Sequence, residues 1–251
     1  MIDTHMHADA RSGEDLKKMY EAGIDCAITC SYYPYKIPHE IVLLNHLNRI
    51  LELDTKRAWE YGLDLKVALG IHPTNSNINP ERIFENLYEW TESNQIIAIG
   101  EIGLEDLTDN EIDIFKRQLD IASETNSKVI IHTPRKNKKE VLKVILDILP
   151  QHINENQAVI DHINPNVIAD AIDTDCMLGL TVQPQKMDKL EAISILDEYG
   201  FDRFLLNSDI SNKPSDPLSV PKTVRELTRQ GYSESEIKKV AESNAKKFFS
   251  I

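Results

Sequence analysis

The sequence predicts a (β/α)8 barrel, in which eight parallel strands form an inner cylinder and the helices after them form an outer layer. Short apolar runs rich in Ile, Val and Leu alternate with longer helical patterns along the whole chain. Most of these runs are continuously apolar, which is typical of strands buried on both faces of a parallel sheet. A length of 251 residues, 41% of them hydrophobic, suits one such barrel.

An open, doubly wound sheet is the structural alternative. It normally has fewer strands and a glycine-rich phosphate-binding turn after the first one, and the segment Asp9–Gly13 provides no such turn. No internal repeat, low-complexity tract or Pro/Gly/Ser-rich linker interrupts the alternation. We therefore expect a single barrel domain over residues 1–251.

The strands are predicted where β-branched and other apolar residues cluster in short runs. In chain order these runs are Met1–His5, Ala27–Ser31, Lys66–Ile71, Ile96–Glu101, Lys128–His132, Ala158–His162, Met177–Thr181 and Arg203–Asp209. The stretch Ser31–Pro38, which contains three tyrosines, is predicted to be a long loop at the mouth of the barrel.

The helices are predicted where apolar residues recur with a helical period between these runs. They are Glu14–Ala22, Glu40–Tyr61, Pro80–Trp90, Glu111–Thr125, Lys138–Leu149, Asn166–Ile172, Lys186–Glu198, Ser219–Arg229 and Ser235–Phe249. Pro80 suits a first helical turn, and Ser233 with Glu236 three residues later forms a capping-box signal.

Composition limits the possible partners. A formal net charge of −13 gives no electrostatic basis for non-specific binding to nucleic acid, although residues 135–139 form a local basic run. No apolar run reaches the roughly 18 residues of a membrane span, and no secretory signal is visible. Three cysteines without metal-type spacing indicate reduced thiols. We expect a cytoplasmic protein without a membrane or stable protein partner.

The opening segment "MIDTHMHADA" carries the first functional signal. His5 and His7 are two residues apart, so in a strand their imidazoles point to the same face. In a barrel that face is the interior, where a polar side chain needs a partner or a metal. A lone histidine after an apolar strand is more often hydrogen-bonded than metal-bound, so other strands must supply further ligands.

Other strand ends do carry ligand-type residues. Catalytic groups in this fold lie at the carboxyl ends of the strands. The six residues of this kind, from five predicted strands, are His5, His7, Glu101, His132, His162 and Asp209. Imidazole and carboxylate together suit zinc, manganese or iron. Six ligands exceed what one catalytic zinc uses, so we expect two divalent cations with an attacking water between them.

The motifs that carry these residues resemble the TatD-related metal-dependent hydrolases of the amidohydrolase-like barrel superfamily. The resemblance runs through "DTHMH", "ALGIHP", "AIGEIGL", "KVIIHTPR" and "LLNSDIS". It implies that His5 and His7 hold one cation and that His132 and His162 complete the second site. It also implies that Glu101 bridges the ions and that Asp209 binds metal and acts as general base. Zinc, manganese and magnesium are the candidate ions.

Two segments depart from the familiar members of that family. "DHINPN" stands where they have a His-Cys-Phe-Ser-Gly segment, and Asn207-Ser208-Asp209 replaces Glu-Thr-Asp. These changes touch the substrate side of the pocket more than the ligands, and they indicate a divergent branch.

Two further residues are candidates for substrate binding. His72, in "GIHP", is expected to bind substrate or orient water, although Pro73 alone would account for an extended residue there. Arg135 follows His132 closely enough to bind a phosphate or carboxylate, or it is a surface arginine at a helix start.

Three functions follow from this site. The first is hydrolysis of phosphodiesters in DNA or nucleotide-like substrates, which the resemblance and the basic run around Arg135 favour. The second is hydrolysis of a C–N or carboxylic ester bond in a small molecule, which the acidic surface favours. The third, a metal-binding protein without turnover, is disfavoured because Asp209 accompanies every ligand.

Overall fold

The computed structural model describes residues 1–251 and contains one sheet of eight parallel strands in sequential order. The strands are β1 (Ile2–Met6), β2 (Cys26–Cys30), β3 (Asp64–Leu69), β4 (Ala98–Gly103), β5 (Lys128–His132), β6 (Ala158–Ile160), β7 (Met177–Thr181) and β8 (Phe204–Asn207). Helices lie between consecutive strands, so the predicted (β/α)8 architecture is confirmed.

Backbone hydrogen bonds join the two edges of the sheet. The amide of Asp209 donates to the carbonyl of His5 at 2.9 Å, and the amide of His7 donates to the carbonyl of Ile210 at 2.9 Å. The segment after β8 therefore lies directly beside the end of β1. This pairing brings residues about 200 positions apart in the chain into one neighbourhood.

Eleven α-helices surround the strands. They are α1 (Gly13–Glu21), α2 (Glu40–Arg49), α3 (Thr55–Glu60), α4 (Glu81–Glu92), α5 (Asp109–Glu124), α6 (Lys138–His152), α7 (Ile168–Ala171), α8 (Lys189–Tyr199), α9 (Ser219–Gln230), α10 (Glu234–Lys238) and α11 (Asn244–Phe249). Their apolar faces pack against the outside of the barrel, as Phe115 and Leu119 of α5 do. No helix is both long and apolar enough to cross a bilayer.

Two of the predicted helices contain a π-helical segment. Ile50–Asp54 links α2 to α3, so the predicted helix Glu40–Tyr61 is a continuous helical segment with a wider turn inside it. Lys239–Ser243 likewise links α10 to α11. The capping box of Ser233 and Glu236 is confirmed, and it begins α10 at Glu234.

The prediction that a helix begins at Lys186 is wrong. Asp188 caps α8, and its carboxylate accepts hydrogen bonds from the amides of Leu190 and Glu191. The side chain of Glu191 completes a capping box on the Asp188 amide, which fixes the helix start at Lys189. Lys186 consequently lies in the loop between β7 and α8.

Several strand ends differ from the prediction by one or two residues, and two of these differences place predicted ligands outside the sheet. β6 ends at Ile160 and β8 ends at Asn207, two residues before His162 and Asp209 respectively. Both residues have positive φ angles, 63° for His162 and 44° for Asp209. A left-handed residue cannot continue a strand, so these side chains leave the sheet at its rim.

Candidate metal centre

The six predicted ligands lie together at the carboxyl end of the barrel, with Glu101 in the middle. Its Oε1 atom lies 2.8 Å from His132 Nδ1 and 3.0 Å from His162 Nε2. Its Oε2 atom lies 3.4 Å from His5 Nε2 and 3.8 Å from His7 Nε2. One carboxylate therefore faces imidazoles from three strands.

Asp209 forms the second carboxylate of the cluster. Its Oδ1 atom lies 3.1 Å from His7 Nε2 and 4.0 Å from His5 Nε2. This contact depends on the hydrogen bonds that pair the segment after β8 with β1. The structure thus places Asp209 on the β1 side of Glu101, opposite His132.

Three sets of side chains have ligand atoms within 4.8 Å of one another. They are His5, His7 and Asp209; His5, Glu101 and His162; and His72, Glu101 and His132. Two of the sets share Glu101, so this carboxylate has ligand-type neighbours on two sides.

His5 and His7 are oriented as metal ligands are. His5 Nδ1 lies 2.6 Å from Asp161 Oδ2, and His7 Nδ1 lies 2.9 Å from the carbonyl oxygen of Cys30. A ring that donates through Nδ1 presents the lone pair of Nε2, and both Nε2 atoms face the carboxylate cluster. His5 Nε2 is buried without a hydrogen-bond partner. A divalent cation would satisfy this atom, so the residues present fit a metal.

Hydrogen bonds to the second ring nitrogen also orient the other two histidines, His132 and His162. His132 Nε2 lies 2.8 Å from Glu105 Oε2, which leaves Nδ1 toward Glu101. His162 Nδ1 lies 2.7 Å from the hydroxyl of Thr181 on β7. Fixing the second ring nitrogen in this way sets the direction of the first and raises its basicity.

The charge balance of the cluster favours ionised carboxylates. Burial raises the pKa of Glu101, but the neighbouring His5 and His132 outweigh it and hold that pKa well below its usual range. Burial also raises the pKa of Asp209, and the ammonium of Lys186 outweighs it in the same way. Both groups are thus anionic, as ligation requires.

Burial favours the neutral form of the His162 and His72 rings. Burial lowers the pKa of each ring well below its usual range, because little solvent reaches the charged form. A neutral imidazole is the form that binds a divalent cation.

His72 reaches the cluster but is oriented as a donor. Its Nε2 atom lies 3.9 Å from Glu101 Oε2, while its Nδ1 accepts a hydrogen bond from the amide of Thr74 at 3.1 Å. A neutral ring that accepts at Nδ1 carries its proton on Nε2. That proton can be donated to a water or to a substrate oxygen.

A cavity of about 410 Å³ opens above the cluster. Tyr32 lies in its wall, with its ring centroid 5.4 Å from that of His7 and 4.9 Å from that of His72. The other tyrosines of the long loop do not line this cavity. Four cationic side chains do: Arg135, Lys136, Lys186 and Lys213. The structure thus places Arg135 at the site, where it donates a hydrogen bond to Gln183 Oε1 at 2.9 Å.

Sequence reasoning missed the residues that support the ligands. Asp161, Glu105 and Thr181 each hold a ring nitrogen that the cluster does not use. Asp161 had a detectable signal, since it is a carboxylate directly before a ligand-type histidine. Lys186, whose ammonium contacts Asp209 Oδ2, had no signal because its pattern is that of a helix start.

Comparison with known proteins relates this chain to metal-dependent hydrolases. The model of the TatD-related DNase family matches residues 2–250. An uncharacterized metal-dependent hydrolase of Methanocaldococcus jannaschii is 40% identical over 253 residues, which cover 100% of both chains. The crystal structure of a TatD-like protein from Archaeoglobus fulgidus is 31% identical and superimposes with a TM-score of 0.86 over 100% of both chains.

A more distant structure shares the fold. The phosphotriesterase homology protein of Escherichia coli, solved with phosphate in its active site, superimposes with a TM-score of 0.72. The match covers 99% of this chain and 98% of that one at 13% identity.

Proposed function

We propose, from the premise that this chain belongs to the TatD-related family of metal-dependent hydrolases, that it hydrolyses phosphodiester bonds. The observation that carries the proposal is the charge of the cavity wall. The chain as a whole has a net charge of −13, yet four cationic side chains line the cavity above the metal centre. Four carboxylates line it too, but Glu101 and Asp209 are predicted ligands and Glu105 contacts His132, which leaves Asp106 as the one carboxylate without such a role. Such a wall favours an anionic substrate over a neutral amide or ester.

The ligand geometry supports two cations. His5, His7 and Asp209 form one of the three sets and would hold one cation. His132 and His162 both contact Glu101 Oε1 and would hold the other, with Glu101 shared between the two. When bound, such ions would supply Lewis-acid polarisation of the phosphoryl group and lower the pKa of water.

The remaining steps belong to residues of the chain. Asp209 accepts a proton from the attacking water, the new P–O bond forms, and the bond to the leaving oxygen breaks. The proton held by Asp209 then passes to that oxygen, so the second product is an alcohol and the carboxylate is regenerated. His72 Nε2 faces the same space as a donor and would orient the water or a phosphoryl oxygen. Arg135, at the mouth, would bind the anion. The substrate is thus a nucleic-acid fragment or a small phosphodiester.

A substrate screen tests the proposal. Apoprotein reconstituted with Mn²⁺, Mg²⁺ or Zn²⁺ is incubated with bis(p-nitrophenyl) phosphate and a short single-stranded DNA, and in parallel with a carboxylic ester, a lactone and an amide. Turnover of the phosphodiesters supports the proposal. Turnover of only the carboxyl compounds would overturn it and would favour the small-molecule alternative.

The Asp209→Asn variant tests the assigned base. We expect kcat for bis(p-nitrophenyl) phosphate to fall by about 10²–10⁴-fold, because the amide cannot accept the proton. Steady-state kinetics should be accompanied by metal analysis, since Asp209 is also a predicted ligand. Full activity in a metal-loaded variant would contradict the assignment.

The expected compartment remains the cytoplasm. The three cysteines are free in the structure, and two of them are buried, which supports a reducing environment. Fractionation of the native host with an antibody against the protein would test this expectation.

A further inference from the structure

Lys186 is held beside the metal centre by a tight turn between β7 and α8. The amide of Gln183 donates to the carbonyl of Met187 at 3.1 Å, and the amide of Lys186 donates to the carbonyl of Gln183 at 3.0 Å. The side chain of Gln183 also donates to the carbonyl oxygen of Asp209. The backbone of Lys186 is therefore fixed relative to Asp209, and only its long side chain is free to change partner.

The ammonium of Lys186 contacts Asp209 Oδ2 directly. The side chain is only 11% exposed, and the Asp209 side chain is 8% exposed, so solvent screens the pair weakly. The other oxygen, Oδ1, faces His7 Nε2 at 3.1 Å. The Asp209 carboxylate thus faces the ligand cluster with Oδ1 and the ammonium of Lys186 with Oδ2.

This pairing conflicts with the ligand role of Asp209. A divalent cation held by His5, His7 and Asp209 would lie close to the ammonium, and two like charges in a buried site repel strongly.

We infer that Lys186 is the counter-ion of Asp209 in the metal-free protein, that a bound cation displaces it, and that it then binds the anionic substrate. The displaced ammonium remains within the cavity, because Lys186 lines it together with Arg135 and Lys213. The last step rests on the proposed phosphodiester function, whereas the displacement requires only that the centre binds metal.

A purely structural role for Lys186 predicts the opposite change in metal affinity. If Lys186 served to orient Asp209, removing it would loosen the carboxylate and weaken metal binding. If it competes with the cation, removing it eliminates the competitor and tightens metal binding. The sign of the change separates the two roles without any assay of activity.

The experiment measures Mn²⁺ and Zn²⁺ affinity of the apoprotein by competition with a chromophoric chelator. We expect Lys186→Met to bind at least about 10-fold more tightly than the wild type, because it lacks the internal cation. Lys213→Met is the matched control, since it removes the same charge from the same cavity without touching Asp209. Weaker or unchanged binding in Lys186→Met would overturn the inference, as would equal tightening in the control.

A second variant guards against loss of folding. Lys186→Gln keeps a hydrogen-bond donor near Asp209 but removes the charge, and it should also tighten metal binding. The melting temperature of each metal-free variant, measured by circular dichroism, shows whether it is folded. A folded Lys186→Gln protein with wild-type metal affinity would count against displacement.

Substrate kinetics test the last step separately. For metal-saturated enzyme and bis(p-nitrophenyl) phosphate, we expect Lys186→Met to raise KM by about 10-fold with a smaller change in kcat. An unchanged KM would contradict substrate binding by Lys186. If the wild type hydrolyses no phosphodiester, the proposed function fails, and the chelator titration still decides whether Lys186 is the counter-ion.

Discussion

At the scale of single residues, the metal centre depends on the hydrogen bonds that each histidine makes through the ring nitrogen facing away from the cluster. His5 is fully buried, and its two ring nitrogens have different tasks: Nδ1 contacts Asp161 and Nε2 faces Glu101. Asp161 is in turn held by Asn207 Nδ2, which donates to its Oδ1 at 3.1 Å. The direction of the His5 lone pair is therefore set by Asp161, which directly follows β6, and by Asn207 of β8.

The Asp161→Asn variant tests this support. The amide keeps the shape of the side chain but removes its charge, so the His5 ring becomes a weaker ligand. We expect metal affinity to fall by about 10–100-fold while the fold is retained. Chelator competition measures the affinity. Asp106→Asn, which removes a carboxylate from the wall of the same cavity, should bind metal as the wild type does.

At the scale of elements, β6 and β7 must approach closely for Asp161 to reach His5. Gly179 of β7 lies beside it, and a Cβ atom at position 179 would lie 1.5 Å from Asp161 Oδ1. Any other residue at this position would require the Asp161 carboxylate to move. The glycine is therefore required by the carboxylate behind the ligand.

Gly179→Ala should consequently damage the site as well as the fold. The methyl group displaces Asp161 and leaves a buried carboxylate with poorer partners, for which we expect a loss of about 1–3 kcal/mol of unfolding free energy. Urea denaturation measures that loss, and metal titration should show a weakened site. A variant with wild-type stability and metal affinity would contradict this packing.

Lys138, in the first turn of α6, gives the site a pH-dependent neighbour. Its ammonium donates to Thr133 Oγ1 at 2.6 Å, and burial, followed by the charge of Lys186, lowers its pKa to about 7. Between that value and its ordinary pKa, the unfolded chain binds more protons than the folded protein. The contribution of Lys138 to the free energy of unfolding therefore increases as the pH rises from 7 to 10.

The Lys138→Met variant lacks this contribution. We expect the unfolding free energy of the wild type, relative to the variant, to rise by about 3 kcal/mol between pH 7 and pH 10. Urea denaturation of both metal-free proteins at several pH values measures the difference. A difference that stays constant over this range would show that the Lys138 pKa is not lowered.

At the scale of the whole molecule, the ligands tie together distant parts of the barrel. They come from β1, β4, β5 and from the segments after β6 and β8, and the hydrogen bonds from Asp209 to His5 and from His7 to Ile210 close the cylinder. A cation at this rim would bind only the closed barrel, because the unfolded chain does not assemble these ligands.

Metal removal should therefore lower the stability of the whole protein. At a free metal concentration 100 times Kd, binding adds about 2.7 kcal/mol of unfolding free energy. We expect added Mn²⁺ or Zn²⁺ to raise the melting temperature of EDTA-treated protein. His5→Ala should lose most of this shift, whereas His152→Ala, on the distant end of α6, should keep it. A shift of equal size in both variants would indicate binding elsewhere.

The sequence by itself determined the architecture and the ligand types. Continuous apolar runs predict buried parallel strands, and the ends of such strands meet at one rim, so His5, Glu101, His132 and Asp209 had to converge. Local chemistry also predicted the capping box at Ser233, because its two partners are close in the chain.

Only the tertiary structure decided how those residues are used. Asp161 contacts His5 across 156 positions of sequence, and Lys186 reaches Asp209 from a loop whose start depends on the Asp188 cap. These contacts depend on loop paths and on space such as that beside Gly179, which no local pattern records. The sequence of a strand shows which residues lie at its carboxyl end, where the ligands gather. The hydrogen-bond partner of each imidazole and carboxylate, in contrast, depends on how neighbouring strands and loops pack.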